Sequence, residues 1–409
     1  MRLERLELTD FRNHPAVLAA FPPGASVLVG PNGVGKTNVL EAIGFLATLG
    51  SHRAGQEASL VREGAGAAVI RAVVEREGRK VLLEVELRPG SGVRGRINRA
   101  AVPRARDLLG VVRATLFAPE DIALIRGDPE ERRRFLDALA VQRLPRYLAS
   151  RHDYERILRQ RNTLLRSAAG RLPSSAGLAT LDVWDDKLAA AGAELWAERL
   201  RLVERLRPLV RAAYQALASG SDAAVDLVYL SSALGERAAG VLSAGVESRA
   251  GAGSGVAAGP AGASGPPVPP SEPSRLARLL RERLLADRAR EIERGVTLSG
   301  PHRDDVALSL QGLPARSHAS HGEAWSLALA LRLAAHQLLG GEGEEPVLLL
   351  DDVFAELDRR RRERLAAVAM SVEQVIITAS VPEELPPKLK AAMFHVEPGK
   401  LTPIPERAG

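Results

Sequence analysis

Lys36 and Thr37 close the run Gly30-Pro31-Asn32-Gly33-Val34-Gly35-Lys36-Thr37, whose glycine spacing and terminal Lys-Thr pair are the residue types a bound phosphate requires. Glycines let backbone N–H groups curl around a β-phosphate, Lys36 would reach the β- and γ-phosphates, and the Thr37 hydroxyl would ligate Mg²⁺. The expected ligand is a nucleoside triphosphate touched by every residue from Gly30 to Thr37. Asp351 and Asp352, closing the apolar run Val347-Leu348-Leu349-Leu350, supply the acids that this loop lacks. Asp351 would hold Mg²⁺ through water, and Asp352 would polarise the attacking water as candidate general base. Ahead of them Ser320-His321-Gly322 opens an apolar helix, and Ser320 and Gly322 are candidate donors to a γ-phosphate. Arg12 and Asn13 have two readings, as a border of the nucleotide or as a solvated turn. His318 and His321 have no third ligand nearby, so that pair reads as a loop and not as a metal site.

These groups need an α/β framework. Val27-Leu28-Val29 reads as the strand entering the glycine loop and residues 38–49 as the helix leaving it, with Gly50 as its stop. Residues 2–8 alternate as an opening strand that ends in a loop over 9–15. Residues 68–75 and 80–88 begin a β-meander, and 111–117 form a further strand. Val347–Leu350 is apolar throughout, as expected of a central parallel strand buried on both faces. About 315 residues separate Lys36 from Asp351, so a lobe is inserted between the two motifs. That lobe reads as helical: a helix begins after Asp128-Pro129 with Phe135, Leu136, Leu139 and Ala140 on one face, and amphipathic stretches follow over 146–168, 178–217 and 275–294. Ala, Gly, Ser and Pro dominate 235–274, which is expected to be a disordered insertion. The expected organisation is 1–122 and 296–409 as two halves of one head, with 123–295 as a mainly helical second lobe.

The chain has 409 residues, a formal charge of +6 and no cysteine, which excludes disulfides and thiolate zinc sites and favours a polyanionic partner. No apolar stretch has the length of a membrane span, and a cytoplasmic location is expected. Two arginine clusters stand out. Arg94, Arg96 and Arg99 flank a turn within 88–106, where there are six Arg and no acid. Arg132, Arg133 and Arg134 begin the helical lobe. Both clusters can be read as phosphate contacts to DNA or as solvated faces.

Phe11-Arg12-Asn13, the loop Gly30–Thr37 continuing as Asn38-Val39-Leu40-Glu41-Ala42-Ile43, Phe117-Ala118-Pro119-Glu120-Asp121, Gly300-Pro301-His302-Arg303-Asp304-Asp305 and the stretch from Leu350 to Asp358 together resemble the RecF family of bacterial recombination mediators. That family belongs with the ABC-type ATPase heads of SMC and related DNA-repair proteins. The resemblance spans nearly the whole chain and implies ATP and Mg²⁺ as cofactors and a homodimer formed on ATP. In it each subunit offers its Ser320–Gly322 signature to the other's Lys36 site. It also implies double-stranded and gapped DNA as ligands, RecO and RecR as partners, and a role in loading RecA. Three departures from the usual ABC pattern imply slow hydrolysis: His321 stands at the signature's second glycine, Thr378-Ala379-Ser380 replaces the switch histidine, and Asp352 stands where transporters carry Glu. The low-complexity insertion lies outside the family's general pattern. A rival reading is the ATP-hydrolysing subunit of a membrane ABC transporter, which would need a surface for coupling to membrane helices. A metabolic P-loop kinase is a third.

Overall fold

The structure is a computed structural model that describes residues 1–51, 53, 57–168, 175–218, 224–234 and 272–405. The expected insertion at 235–274 lies outside these as far as 271. Strand β1 (Arg2–Phe11) buries Leu3, Leu6, Leu8 and Phe11 and pairs with β2 (His14–Ala20). The loop expected over 9–15 is therefore mostly strand. Phe11 and His14 are both buried and face each other across the hairpin, which leaves only Arg12 and Asn13 at the turn, with Arg12 in the left-handed region at φ 56°.

Strand β3 (Gly24–Val29) leads through the glycine loop into α1 (Lys36–Thr48), which starts two residues earlier than expected. The meander is present as β4 (Ala68–Arg76), β5 (Arg79–Arg88), β6 (Gly92–Ile97) and β7 (Ala100–Ala101). With the first hairpin it forms an antiparallel sheet of order β2-β1-β4-β5-β6-β7. Strand β8 (Ala114–Phe117) is shorter than the expected 111–117. The helical region follows as α2 (Ala123–Arg126), α3 (Pro129–Arg143), α4 (Arg146–Ala168), α5 (Ser175–Leu217), β9 (Val225–Leu230) and α6 (Pro273–Arg294). The chain then returns through β10 (Asp305–Leu310), β11 (Leu313–Pro314), α7 (Ala315–His318), α8 (His321–Gly340), β12 (Val347–Leu350), α9 (Arg359–Ser371), β13 (Gln374–Ala379), β14 (Ala392–Glu397) and β15 (Lys400–Ile404).

A second sheet has the order β15-β14-β3-β13-β12-β8, parallel from β14 to β8. Strand β3, from the start of the chain, lies between two strands from its end. Register aligns Val29 with Ala379 and Leu350 with Ile377, so the carboxyl ends of β3, β12 and β13 come together. In open parallel sheets that edge is where ligands bind.

Side chains on alternate positions of these strands enter two cores. Leu28, Leu349 and Ile376 face α1 and the antiparallel sheet. Val27, Val29, Leu348, Leu350 and Ile377 face Trp325 of α8 and, beyond it, Trp196 of α5. The helical region thus shares a core with the parallel sheet. Among the described residues no helix is long and apolar enough to cross a membrane.

Candidate nucleotide site

Gly33 and Gly35 adopt φ 85° and 108°, values that side chains rarely accept, and they give the loop its curl. Gly30 is needed for a different reason: a Cβ there would lie 2.7 Å from the carbonyl oxygen of Val396 on β14. Lys36 is buried at the start of α1, and its Nζ donates to Gly30 O at 2.7 Å and Pro31 O at 3.2 Å. Folded over the loop in this way, the ammonium stands where a phosphate oxygen could replace those carbonyls.

The next residue joins the two distant motifs. Thr37 Oγ1 donates to Asp351 Oδ1 at 3.0 Å, across 314 positions of sequence. The same carboxylate oxygen accepts from Thr378 Oγ1 at 2.6 Å, and Thr378 Oγ1 accepts from the backbone N of Asp352 at 2.8 Å. Thr378 therefore bridges both acids, a role the sequence does not reveal because it depends on β13 lying beside β12. Asp352 is itself in the left-handed region, at φ 46°. Burial pushes Asp351 up to about 6, with the like charges of Asp352 and Glu120 adding to the effect. Asp352 is also raised, first by burial, while the positive charge of Lys36 opposes the rise.

A hydroxyl in contact with a buried carboxylate at the mouth of a phosphate loop fits Mg²⁺, which is commonly held by one carboxylate together with phosphate oxygens and water. No cluster of three His, Cys, Asp or Glu exists among the described residues, so an all-protein cage is not the arrangement found.

The β1–β2 turn lies against the loop through Asn13. Its Nδ2 donates to Gly33 O at 3.2 Å and its Oδ1 accepts from Asn38 Nδ2 at 2.8 Å. Arg12 points instead to α1. It grips buried Glu41 with two bonds of 2.8 and 2.6 Å and donates to Ser59 O. Glu41 and Ser380, whose hydroxyl donates to Asn32 Oδ1 at 2.8 Å, belong to stretches noted in the sequence, but the sequence assigns neither of them a contact.

Ser320 caps α8: its Oγ accepts from Glu323 N at 3.3 Å, and Glu323 accepts from Ser320 N at 2.8 Å. Its partners lie on its own helix. Gly322 is overlain by Arg361 of α9, whose Nη1 would stand 2.8 Å from a Cβ at 322 and pairs with Asp358 at 3.1 Å.

The two arginine clusters differ. Arg94, Arg96 and Arg99 are exposed, and Arg96 and Arg99 help to line an open groove of about 530 Å³ on the outer face of the antiparallel sheet. Arg132 is buried and makes bonds of 2.6 and 2.9 Å to Asp305, with further bonds to Leu124 O and Gly127 O. The expectation that Arg132 meets DNA is corrected, since its charge is neutralised inside the fold. Arg133 donates to Asp304 O, and exposed Arg134 pairs with Glu130 and Glu131 along its own helix. The Gly300–Asp305 motif is also internal. Asp304 is buried and accepts from Tyr229, Ser232 N and Ser232 Oγ, and Arg199 clasps Pro301 O at 2.6 Å.

Residues 2–392 match the RecF/RecN/SMC N-terminal domain. The chain is 50% identical over 405 residues to the DNA replication and repair protein RecF of Streptomyces avermitilis, covering 98% of this chain and 99% of that one. It is likewise 50% identical over 403 residues to that of Frankia alni, covering 98% and 99%. Among solved structures, the recombination mediator RecF with ATP, described as part of the RecFOR pathway, superposes with a TM-score of 0.80 at 25% identity, over 98% of this chain and 97% of that one. An Smc head bound to the C-winged helix domain of ScpA shares the fold alone, with a TM-score of 0.52 at 15% identity over 100% of this chain and 98% of that one. Loop, paired acids, split parallel sheet and these likenesses agree, and the chain belongs to the RecF family of SMC-like ATPases involved in DNA replication and repair.

Proposed function

We propose that the protein is an ATP-timed DNA clamp. ATP sits against Gly30–Thr37, with Lys36 on its β- and γ-phosphates and Mg²⁺ held between Thr37 and Asp351, where it would neutralise phosphate charge. Asp352 orients and deprotonates the attacking water, with Lys36 to offset its charge. Ser320 and Gly322 serve the nucleotide of a second copy, so ATP closes a homodimer and slow hydrolysis reopens it. Exposed Arg94, Arg96 and Arg99 meet the phosphates of double-stranded or gapped DNA, and with RecO and RecR the clamp helps to load RecA in the cytoplasm.

The observation that carries this reading is the 3.0 Å contact of Thr37 with Asp351, which makes one site of two motifs 314 positions apart. Sizing by light scattering with ADP and with ATP, each with and without gapped duplex, tests it. A dimer with ATP alone, lengthened in lifetime by DNA, is expected. One mass under all four conditions would overturn the proposal.

A further inference from the structure

His14 is fully buried beneath the glycine loop, and nothing in the proposed cycle uses it. Its Nε2 lies 3.0 Å from Gly35 O, and because a carbonyl oxygen only accepts, Nε2 carries the proton. Nδ1 is buried with no hydrogen-bond partner. An apolar side chain would fill this space without that unsatisfied nitrogen, so packing alone does not account for an imidazole. Burial also lowers the pKa of His14, which keeps the ring neutral at pH 7 with a single N–H to give.

Ring and loop are fitted to each other. A Cβ on Gly35 would collide with His14 Nε2 and lie 2.6 Å from Asn13 Oδ1. The carbonyl that His14 holds also starts α1 by accepting Asn38 N at 3.0 Å and Val39 N at 3.3 Å. Two alternate carbonyls of the loop are thus tied to the hairpin, Gly33 O by Asn13 and Gly35 O by His14. In a planar trans peptide the N–H of the next residue points opposite to the carbonyl. Holding Gly35 O on the hairpin side therefore turns the N–H of Lys36 to the other side of the loop, and holding Gly33 O does the same for Val34.

We propose that His14 is a positioning residue for the phosphates of the nucleotide: it presets the Gly35–Lys36 peptide from the β1–β2 hairpin, without touching the ligand. This rests on the reading of Gly30–Thr37 as the phosphate site. Titration calorimetry with ATP and with tripolyphosphate, which has the phosphates and no base, separates positioning from packing when melting temperatures are recorded alongside. His14→Leu removes the donor, His14→Gln places an amide N–H near Nε2, and His14→Asn is too short to reach. Leu and Asn are expected to weaken both ligands about tenfold and equally, the scale of one buried hydrogen bond. Gln should recover most of that loss whatever its melting temperature. Should Leu not fold, the Gln and Asn pair decides. Parent affinity for tripolyphosphate in folded Leu or Asn variants would show that His14 only packs. A parent protein that binds neither ligand would remove the phosphate-loop reading itself, and this role with it.

Discussion

Asp351 holds its charge where its surroundings oppose it. Burial first, then Asp352 and Glu120, push its carboxyl up to about 6 although Thr37 and Thr378 both donate to it. The unfolded carboxyl titrates near 3.9, so the fold binds this proton more tightly than the unfolded chain does. The group's contribution to stability is greatest below the unfolded value and falls as pH climbs from about 4 to about 6. Asp351→Asn should therefore stabilise the nucleotide-free protein at pH 7.5 by on the order of 2 kcal/mol, read as a higher melting temperature, with the gap closing as pH is lowered towards 4.5. With Mg²⁺ and ATP the order should reverse, because only the carboxylate can join the cation. Equal melting at pH 7.5 would mean that Asp351 is better solvated than its 3% exposure indicates. Lys36, Thr37 and Asp351 are legible in the sequence because phosphate chemistry fixes both residue type and spacing. Thr378 is not, since its meaning is set by a neighbouring strand. Arg132 misleads for the converse reason: consecutive residues on a helix point about 100° apart, so three arginines in a row cannot all face one ligand.

Strands are easier to place from sequence than their ends. Alternation locates β4 and β5 to within a residue or so, whereas the β1–β2 turn is hidden because Phe11 and His14 look like loop residues until each is seen covering the other. Pairing also alters the arginine hairpin. Arg94 lies directly across from Glu86, and Arg96 from Glu84, in the β5–β6 register. Sequence shows a long stretch of one sign, while the folded sheet sets these arginines opposite carboxylates, of which Glu84 pairs with Arg71 at 2.9 Å and Glu86 with Arg88 at 2.8 Å. If the outer face meets DNA, the acids restrain binding and the arginines drive it. Arg94→Ala with Arg96→Ala should weaken duplex binding on every sequence and flatten log K against log salt by roughly 0.9 for each phosphate no longer neutralised. Glu84→Gln with Glu86→Gln should strengthen binding most at low salt. Fluorescence anisotropy over a salt series measures both. Parent affinity and slope in the double Ala variant would reduce the hairpin to a solvated edge.

Both ends of the chain build one sheet, and the segment between them is locked to it. The turn before β12 shows how: Glu342 pairs with Arg143 at 2.7 Å and also with Arg205, Glu344 with Arg76 at 2.7 Å, and Glu345 accepts from Glu373 N at 2.7 Å. Helical region, antiparallel sheet and parallel sheet thus meet a few residues ahead of β12, the strand that leads into Asp351. The distance between the motifs shows that a long segment separates them, but the core this segment shares with the sheet is not legible, because period alone does not say which faces meet. Ser320 hydrogen-bonds within its own helix, and its proposed service to the nucleotide of a second copy is a property of the dimer. Complementation tests it. Lys36→Met disables a subunit's own loop and leaves its signature intact; Ser320→Arg puts a bulky cation where the partner's γ-phosphate must arrive and leaves its own loop intact. Each variant alone should lack turnover and ATP-driven dimerisation, while Ser320→Arg as a monomer should still bind ATP. Mixed in equal amounts, they should recover up to about half of parent turnover, since neither homodimer closes and each mixed dimer holds one complete site of two. No recovery, with Ser320→Arg still binding ATP, would place Ser320 in the service of its own subunit, and recovery to the parent level would sink the model, because a mixed dimer holds only one complete site.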